Sequence, residues 1–183
     1  LEQSISELFE QQAKKTPSVI AIAIKDQTLT YQELAEQCQG DSEKAAFDKR
    51  MEGYAAMKEG MLAPNIAFES TNYKVKSLHD IDATQILVVF WASWCPNCES
   101  QMPLIESFAN KNKDISVVAI SLDIDKLAYS EAIKKYPSLT HSCDFEKWNG
   151  AVAKDYYIYG TPTFIVLDKD KTIQGKFTSW EST

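Results

Sequence analysis

The chain has 183 residues, 44% of them hydrophobic and 11% aromatic, and carries a formal net charge of −7 with an isoelectric point near 4.9. This composition excludes a disordered chain and indicates one folded unit of ordinary size with a smaller attachment. The acidic charge argues against a nucleic-acid partner, because phosphate recognition needs a basic surface. No apolar run approaches the ~18 residues of a membrane-spanning helix, and we expect no signal peptide in the first residues.

The first third of the chain is predicted to form short helices and one hairpin. The helices are indicated by apolar residues at helical spacing, and the hairpin by two runs rich in β-branched residues. The predicted elements are a helix over Ile5–Lys14, strands over Val19–Ile24 and Thr28–Tyr31, a helix beginning at Gln32–Gln37 and a connecting helix over residues 39–60.

The remaining two thirds alternate between strands and helices, as in an α/β protein. The predicted elements are a buried strand Ile86–Trp91, a helix Pro96–Asn112, a strand Ile115–Leu122, helices Asp125–Tyr136 and Lys147–Tyr156 with a short segment Leu139–Cys143 between them, and strands Thr163–Leu167 and Thr172–Phe177. A strand, a crossover helix and a further strand form a right-handed unit with parallel strands. The polar residues Asp168–Lys171 predict an antiparallel hairpin. We therefore predict a mixed β-sheet flanked by helices.

The clearest chemical motif is Cys95-Pro96-Asn97-Cys98, where a predicted buried strand gives way to a helix. Amide groups and the dipole at a helix N-terminus stabilise a thiolate and lower the cysteine pKa from ~8.5 into the range of ~3.5–7.5. Cys95 is therefore predicted to be the nucleophile. Cys98, one turn further on, is predicted to attack the mixed disulfide and release the reduced substrate. Pro96 and Asn97 are expected to tune the reduction potential.

An alternative interpretation of the cysteine pair is half of a structural zinc site. Such a site needs two further ligands, which could be His79, or His141 together with Cys143. The spacing between His141 and Cys143 is not a common ligand spacing. We therefore favour redox chemistry, and we expect no metal and no cofactor other than the redox-active disulfide of the motif.

The residues around the motif resemble the active-site segment of the thioredoxin superfamily, and in particular its TlpA/ResA-like branch. The similar segments are Val88–Cys98 with Met102-Pro103, Gly60–Pro64 with Phe68, Ser121-Leu122-Asp123, and Tyr159–Thr163. Together they span residues 60–177. The resemblance implies a thioredoxin-like fold and thiol-disulfide oxidoreductase activity.

The resemblance also assigns a substrate-binding site. The proline before the penultimate strand is cis in this family and faces the cysteines, which implies a cis Pro162. The backbone of Thr161 would then pair with an extended substrate peptide. Trp94 is expected to contact substrate, because the residue before the first cysteine is usually exposed in the family. Pro96 and Asn97 complete the predicted substrate-binding residues.

Two departures from the family concern the group that accepts the proton of Cys98. Thioredoxins carry a buried acid where this chain has Val89, and TlpA/ResA-like proteins often carry a glutamate where this chain has Gln101. Deprotonation of Cys98 is therefore expected to rely on water.

The remaining cysteine of this region and the two histidines are expected to have structural roles. Free cysteine is commonly a small buried hydrophobe, which is the interpretation that we favour for Cys143 over a third redox cysteine. His79 and His141 have no nucleophile or acid partner nearby in the sequence, so we expect them to be surface or packing residues.

The first 38 residues resemble a different family. Leu8–Ala13, Thr16-Pro17 and Asp26–Leu34 are similar to the start of a nonribosomal-peptide adenylation domain. That family's Ser/Thr/Gly-rich nucleotide loop does not occur in this sequence, so adenylation activity does not follow. The alternative is a helix and hairpin that serve as an accessory to the main domain. We predict three parts: an adenylation-domain-like fragment over residues 1–38, a helical linker over 39–61 and a thioredoxin-like domain over 62–183.

These features predict an enzyme that exchanges disulfides with protein thiols and depends on an upstream redox partner. TlpA/ResA-like proteins usually work outside the cytoplasmic membrane, so we expect an extracytoplasmic location, periplasmic or on the envelope side of a bacterium, and a role in cell redox homeostasis. Two alternatives are a metal-binding or partner-binding module without turnover and a peroxidase of the peroxiredoxin type. The peroxidase normally carries a Pro-x-x-x-Thr-x-x-Cys run, which does not precede Cys95.

Overall fold

A computed structural model of the chain describes residues 11–24, 27–30, 32, 49, 53, 56–68 and 75–180. It contains two compact units, Leu1–Ala55 and Ala56–Thr183. The helix predicted from Gln32 and the connecting helix over residues 39–60 fall largely outside the described residues. The three-part division, including an adenylation-domain-like fragment, stays a prediction.

The described part of the first unit contains a helical turn and an antiparallel hairpin. Residues 11–15 are helical, and the helix ends just before Thr16. The strands β1 (Ile20–Ile24) and β2 (Gln27–Thr30) pair antiparallel with one irregularity in their register. The predicted hairpin is therefore confirmed.

The second unit is built on a five-stranded sheet. Its described strands and α-helices are β3 (Gln85–Trp91), α1 (Pro96–Lys111), β4 (Ile115–Ser121), α2 (Lys126–Ile133), β5 (Thr140–Cys143), α3 (Ala151–Asp155), β6 (Thr163–Asp168) and β7 (Ile173–Phe177). The strand order across the sheet is β5-β4-β3-β6-β7. The β3–β4 and β4–β5 pairs are parallel, whereas β3–β6 and β6–β7 are antiparallel. The predicted mixed sheet flanked by helices is confirmed.

The central strand β3 carries the core. Its residues from Ile86 to Trp91 are all buried, so apolar side chains lie on both faces of the strand. A strand with this pattern needs cover on both sides of the sheet. Helix α1 contributes Met102, Ile105 and Ala109 to the buried cluster. The end of β3 is therefore a rigid base for the loop that follows it. Across the described residues, none of the helices combines the length and apolar character that crossing a bilayer requires.

The segment before β3 also belongs to the core of the second unit. The Gly60 N–H donates to the Ile173 carbonyl oxygen at 2.9 Å, and the Ile173 N–H donates to that of Met61 at 2.8 Å. Gly60 has a φ of 85°, a left-handed conformation that favours glycine. Met57 and Ile66 are buried, so this segment packs against the sheet.

One predicted helix, Lys147–Tyr156, is wrong in its extent. Residues Lys147–Asn149 form a single 3-10 turn, and α3 begins only at Ala151, because Gly150 between them has an extended backbone with φ −62° and ψ 150°. A Cβ atom at Gly150 would clash with the carboxylate of Asp144. The extended backbone at Gly150 divides the predicted helix.

Candidate active site

The cysteine pair lies where β3 gives way to α1. Cys95 is the N-cap residue of α1, and Pro96 occupies the first turn, where the missing proline N–H removes no helical hydrogen bond. The Sγ atoms of Cys95 and Cys98 lie at disulfide distance, and their Cα atoms are 5.2 Å apart. The backbone N–H of Cys98 donates to Sγ of Cys95 at 3.2 Å. The N-terminus of α1 therefore places a donor and the positive end of its dipole at the first sulfur.

The two cysteines differ in their access to solvent. Cys95 is 6% exposed, whereas Cys98 has no exposed surface. Pro96 and Asn97, between them, are exposed. A substrate that approaches the surface of the pair therefore meets Cys95 first.

A cis peptide bond lies beside the first cysteine. The bond between Thr161 and Pro162 is cis, as the resemblance implies, and Pro162 is buried. The carbonyl oxygen of Thr161 is 3.5 Å from Sγ of Cys95. The Thr163 hydroxyl donates to the carbonyl oxygen of Gly160 at 2.8 Å and ties the two ends of this turn together. The turn before β6 is thus held against the cysteine pair.

Two exposed aromatic rings meet at Trp94, the residue that precedes Cys95. Trp94 is 45% exposed, in accordance with the prediction from the resemblance. Its ring centroid lies 6.3 Å from that of Trp148 in an edge-to-face arrangement, and Nζ of Lys147 lies 4.7 Å from the Trp94 centroid. Sequence reasoning missed Lys147 and Trp148, because it assigned them to a continuous helix.

A buried carboxylate supports the loop that leads to Cys95. Asp123, just beyond β4, accepts hydrogen bonds from the Ser93 N–H at 3.0 Å and the Ser93 hydroxyl at 2.6 Å. It also accepts one from the Ser121 hydroxyl at 2.6 Å. A buried carboxylate needs hydrogen-bond partners of this kind. Through these bonds Asp123 holds Ser93 at the end of β4. Sequence reasoning gave Asp123 no role, although an acid directly after a buried strand was a usable signal.

Val89 and Gln101 stand at the two positions where related proteins carry acids. Val89 is fully buried within β3. Oε1 of Gln101 accepts a hydrogen bond from the Trp180 N–H at 2.8 Å. Neither position supplies a carboxylate near Cys98. We therefore still expect water to accept the proton of Cys98.

Cys143 and His141 lie within β5 and are both buried. The Cys143 Sγ lies 3.4 Å from the Asp123 carbonyl oxygen, and burial raises the pKa of the thiol. Nε2 of His141 lies 2.7 Å from the Tyr136 carbonyl oxygen, and burial lowers the pKa of the imidazole. The predicted burial of Cys143 is confirmed, and the packing roles of the two residues stay predictions.

The third candidate zinc ligand lies elsewhere. Nε2 of His79, in a short 3-10 turn, is 2.8 Å from the Ala63 carbonyl oxygen. Within the part of the chain that the structure describes, no group of three His, Cys, Asp or Glu side chains is placed to hold a metal ion.

The chain is similar in sequence to known proteins. A family model described as Thioredoxin-like matches residues 83–173. The protein named thiol-disulfide oxidoreductase ResA from Bacillus thuringiensis is 32% identical over 121 residues, which cover 64% of this chain and 69% of that protein. The thioredoxin-like protein YneN of Bacillus subtilis is 27% identical over 121 residues, covering 64% of this chain and 70% of that protein.

Two solved structures share the fold. A thiol-disulfide oxidoreductase from Bacteroides fragilis superposes with a TM-score of 0.53 and 32% identity, covering 63% of this chain and 88% of that chain. The thioredoxin domain of a thiol-disulfide oxidoreductase from Bacteroides vulgatus gives a TM-score of 0.55 and 26% identity, covering 65% and 87% respectively. The similarity therefore extends over most of each of those two chains.

Proposed function

Because the chain belongs to the thioredoxin-like family of thiol-disulfide oxidoreductases, we propose that it exchanges disulfides with proteins outside the cytoplasmic membrane of a bacterium. The observation that carries this proposal is the Cys95–Cys98 pair at the N-terminus of α1, with cis Pro162 beside it. This setting suits a sulfur that alternates between thiolate and disulfide.

The reaction with a substrate disulfide begins at Cys95. Its thiolate attacks one substrate sulfur, a bond forms between that sulfur and Sγ of Cys95, and the second substrate sulfur leaves as a thiolate that takes a proton from water. The Cys98 N–H at 3.2 Å and the dipole of α1 support the thiolate at Cys95. Cys95 is slightly exposed and Cys98 is fully buried, which supports Cys95 as the attacking sulfur.

Cys98 completes the reaction. It loses its proton and attacks Sγ of Cys95, so that the Cys95–Cys98 disulfide forms, the mixed disulfide breaks, and the first substrate sulfur leaves as a thiolate that takes a proton from water. Two electrons pass from the dithiol to the substrate, and the reverse sequence oxidises a substrate dithiol. Water accepts the Cys98 proton, because Val89 and Gln101 occupy the positions where related proteins have acids.

An extended substrate chain binds along the turn that contains cis Pro162. The backbone of Thr161 pairs with it, and Trp94, which precedes Cys95, contacts it. The support is that the Thr161 carbonyl lies 3.5 Å from Sγ of Cys95 and that Trp94 is exposed next to that cysteine. Pro96 and Asn97, both exposed, complete this surface.

Continued turnover requires a second redox protein. Each reduction of a substrate leaves the enzyme with a Cys95–Cys98 disulfide, so an upstream partner must return it to the dithiol. The extracytoplasmic location and a contribution to cell redox homeostasis are supported by the similarity to proteins named ResA.

Trapping of the mixed disulfide tests this assignment. In the Cys98→Ser variant the second step is blocked, so a disulfide-containing protein such as insulin should remain bound to Cys95 and be released by dithiothreitol. Cys95→Ser is the matched control and should trap no substrate at the motif, since Cys98 has no exposed surface. Trapping by Cys95→Ser, or by neither variant, would refute the assigned roles.

A further inference from the structure

The loop between β5 and α3 brings two side chains beside the residue that precedes Cys95. Trp148 is 36% exposed, and its ring meets that of Trp94 edge to face with centroids 6.3 Å apart. Lys147 places Nζ 4.7 Å from the centroid of Trp94. We call Trp94, Lys147 and Trp148 the aromatic face. Trp94, the residue that the other two side chains contact, directly precedes Cys95 in the chain.

The loop is held in an unusual conformation. Phe145 and Lys147 have left-handed φ values of 61° and 56°, which cost energy in residues other than glycine and persist only where the surroundings fix them. The Phe145 ring packs against Tyr129 with centroids 5.4 Å apart, and Nζ of Lys126 lies 5.2 Å from its centroid. Asp144 accepts the Glu146 N–H at 3.0 Å. Lys147 and Trp148 are thus positioned before any substrate binds.

The chemistry of the aromatic face selects two kinds of group. Exposed indole rings gain most from an aromatic partner, in offset or edge-to-face contact. The Lys147 ammonium takes part in neither of the two ion pairs found among the described residues, so its charge is available to a carboxylate. In the proposed function an extended substrate chain contacts Trp94, so the residues next to its reactive cysteine would meet the aromatic face.

We propose that the aromatic face determines substrate specificity by accepting polypeptides with an aromatic side chain next to the reactive cysteine and a carboxylate within two residues of it. The inference rests on the proposed function and identifies the substrate class of the same site. Trp148 supplies the aromatic preference together with Trp94, and Lys147 supplies the preference for the carboxylate.

The test uses the reduced full chain and four short homodimeric disulfide peptides. The residue beside the cysteine is Phe or Ser, and the next residue is Glu or Gln. Oxidation of the dithiol is followed by acid quench, alkylation and mass spectrometry, with hydroxyethyl disulfide as a substrate that lacks side chains. The native chain should prefer Phe to Ser by about twofold to tenfold. At low ionic strength it should prefer Glu to Gln by up to about fivefold, and salt should weaken that preference.

Each variant should affect one preference. Trp148→Ala should lower the Phe-to-Ser ratio, leaving the part of the preference that Trp94 supplies, and should keep the Glu-to-Gln ratio. Trp148→Phe should restore the first ratio, and Lys147→Gln should abolish only the second. Lys169→Gln is the charge-matched control. Lys169 follows Asp168, which pairs with Gln85 at the opposite end of β3 from Cys95. Because this position is remote from the cysteine pair, the Lys169→Gln variant should keep both ratios.

The outcomes separate the two proposals. Measurable and equal rates with all four peptides, or unchanged ratios in folded Trp148 and Lys147 variants, would overturn the specificity assignment alone. If neither the peptides nor hydroxyethyl disulfide oxidise the dithiol, the proposed function fails and this inference fails with it.

Discussion

Two cysteines lie at the carboxyl edge of the same sheet in very different surroundings. Cys95 follows the central strand β3 and caps α1, where the Cys98 N–H lies 3.2 Å from its sulfur. Cys143 ends the edge strand β5, and its sulfur lies 3.4 Å from the Asp123 carbonyl oxygen, which is an acceptor. The two residues are nearly equally buried, at 6% and 8% exposure.

Because the two sulfurs are nearly equally buried, the difference between them lies in what the backbone places around each one. Register places Trp91, Ser121 and Cys143 side by side across β3, β4 and β5, which separates the ends of β3 and β5 by roughly 10 Å. At the end of β3 the chain turns directly into a long helix whose free N–H groups favour a thiolate. At the end of β5 burial raises the pKa of the Cys143 thiol and favours the neutral form.

Substitution of each cysteine should give the largest contrast. Cys95→Ser should abolish reduction of hydroxyethyl disulfide, because it removes the sulfur that is proposed to attack. Cys143→Ala should keep the native rate, since the small buried thiol serves packing. Steady-state rates with dithiothreitol as reductant measure both. Loss of activity in a folded Cys143→Ala variant would contradict the comparison.

Alkylation of the reduced protein should separate the same two sulfurs by rate. At pH 7 we expect Cys95 to react with iodoacetamide at least about tenfold faster than Cys143, because thiols at helix N-termini ionise more readily than ordinary ones. The raised pKa of Cys143 means that its reaction should accelerate only above the usual range of cysteine titration. Peptide mass mapping after timed quenching gives both rates. In urea the two rates should converge, and their equality in the native protein would count against the assignment.

Loosening the link between Asp123 and Ser93 should have an intermediate effect. Asp123→Asn replaces a buried carboxylate that holds Ser93, and we expect a loss of about 1.5–3 kcal/mol in the free energy of unfolding, as for hydrogen bonds to charged groups. Ser93→Ala should lose less, because its backbone N–H bond remains. Urea titrations measure both values. Ser130→Ala, which removes an exposed hydroxyl on α2, is the control and should leave stability nearly unchanged.

The smallest expected effect concerns His141, the other buried polar side chain of β5. Burial lowers its pKa in the folded state, so the unfolded chain binds this proton more readily. His141 should therefore reduce stability as the pH falls below the unfolded value of ~6.5, and it should have no such effect above that value. The free energy of unfolding, measured by urea titration, should fall less between pH 7.5 and pH 5 in His141→Gln than in the native protein. An identical pH dependence in the two proteins would disprove this contribution.

Features encoded by neighbouring residues were predicted well from the sequence. The buried strand before Cys95, the helix after it and the hairpin β6–β7 each follow from local patterns, and the resemblance supplied the cis bond at Pro162. The support of Ser93 by Asp123 was missed because it joins residues thirty positions apart in sequence. The position of Trp148 was missed because it depends on left-handed residues and on the packing of Gly150, neither of which has a periodic signal.

A redox titration of the full chain against glutathione tests the central claim most directly. Thiols are alkylated at each potential and located by mass spectrometry after proteolysis. The account predicts one two-electron transition in which Cys95 and Cys98 change together while Cys143 stays a free thiol throughout. A transition that includes Cys143, or a pair that stays reduced at every potential and copurifies with stoichiometric metal, would contradict it.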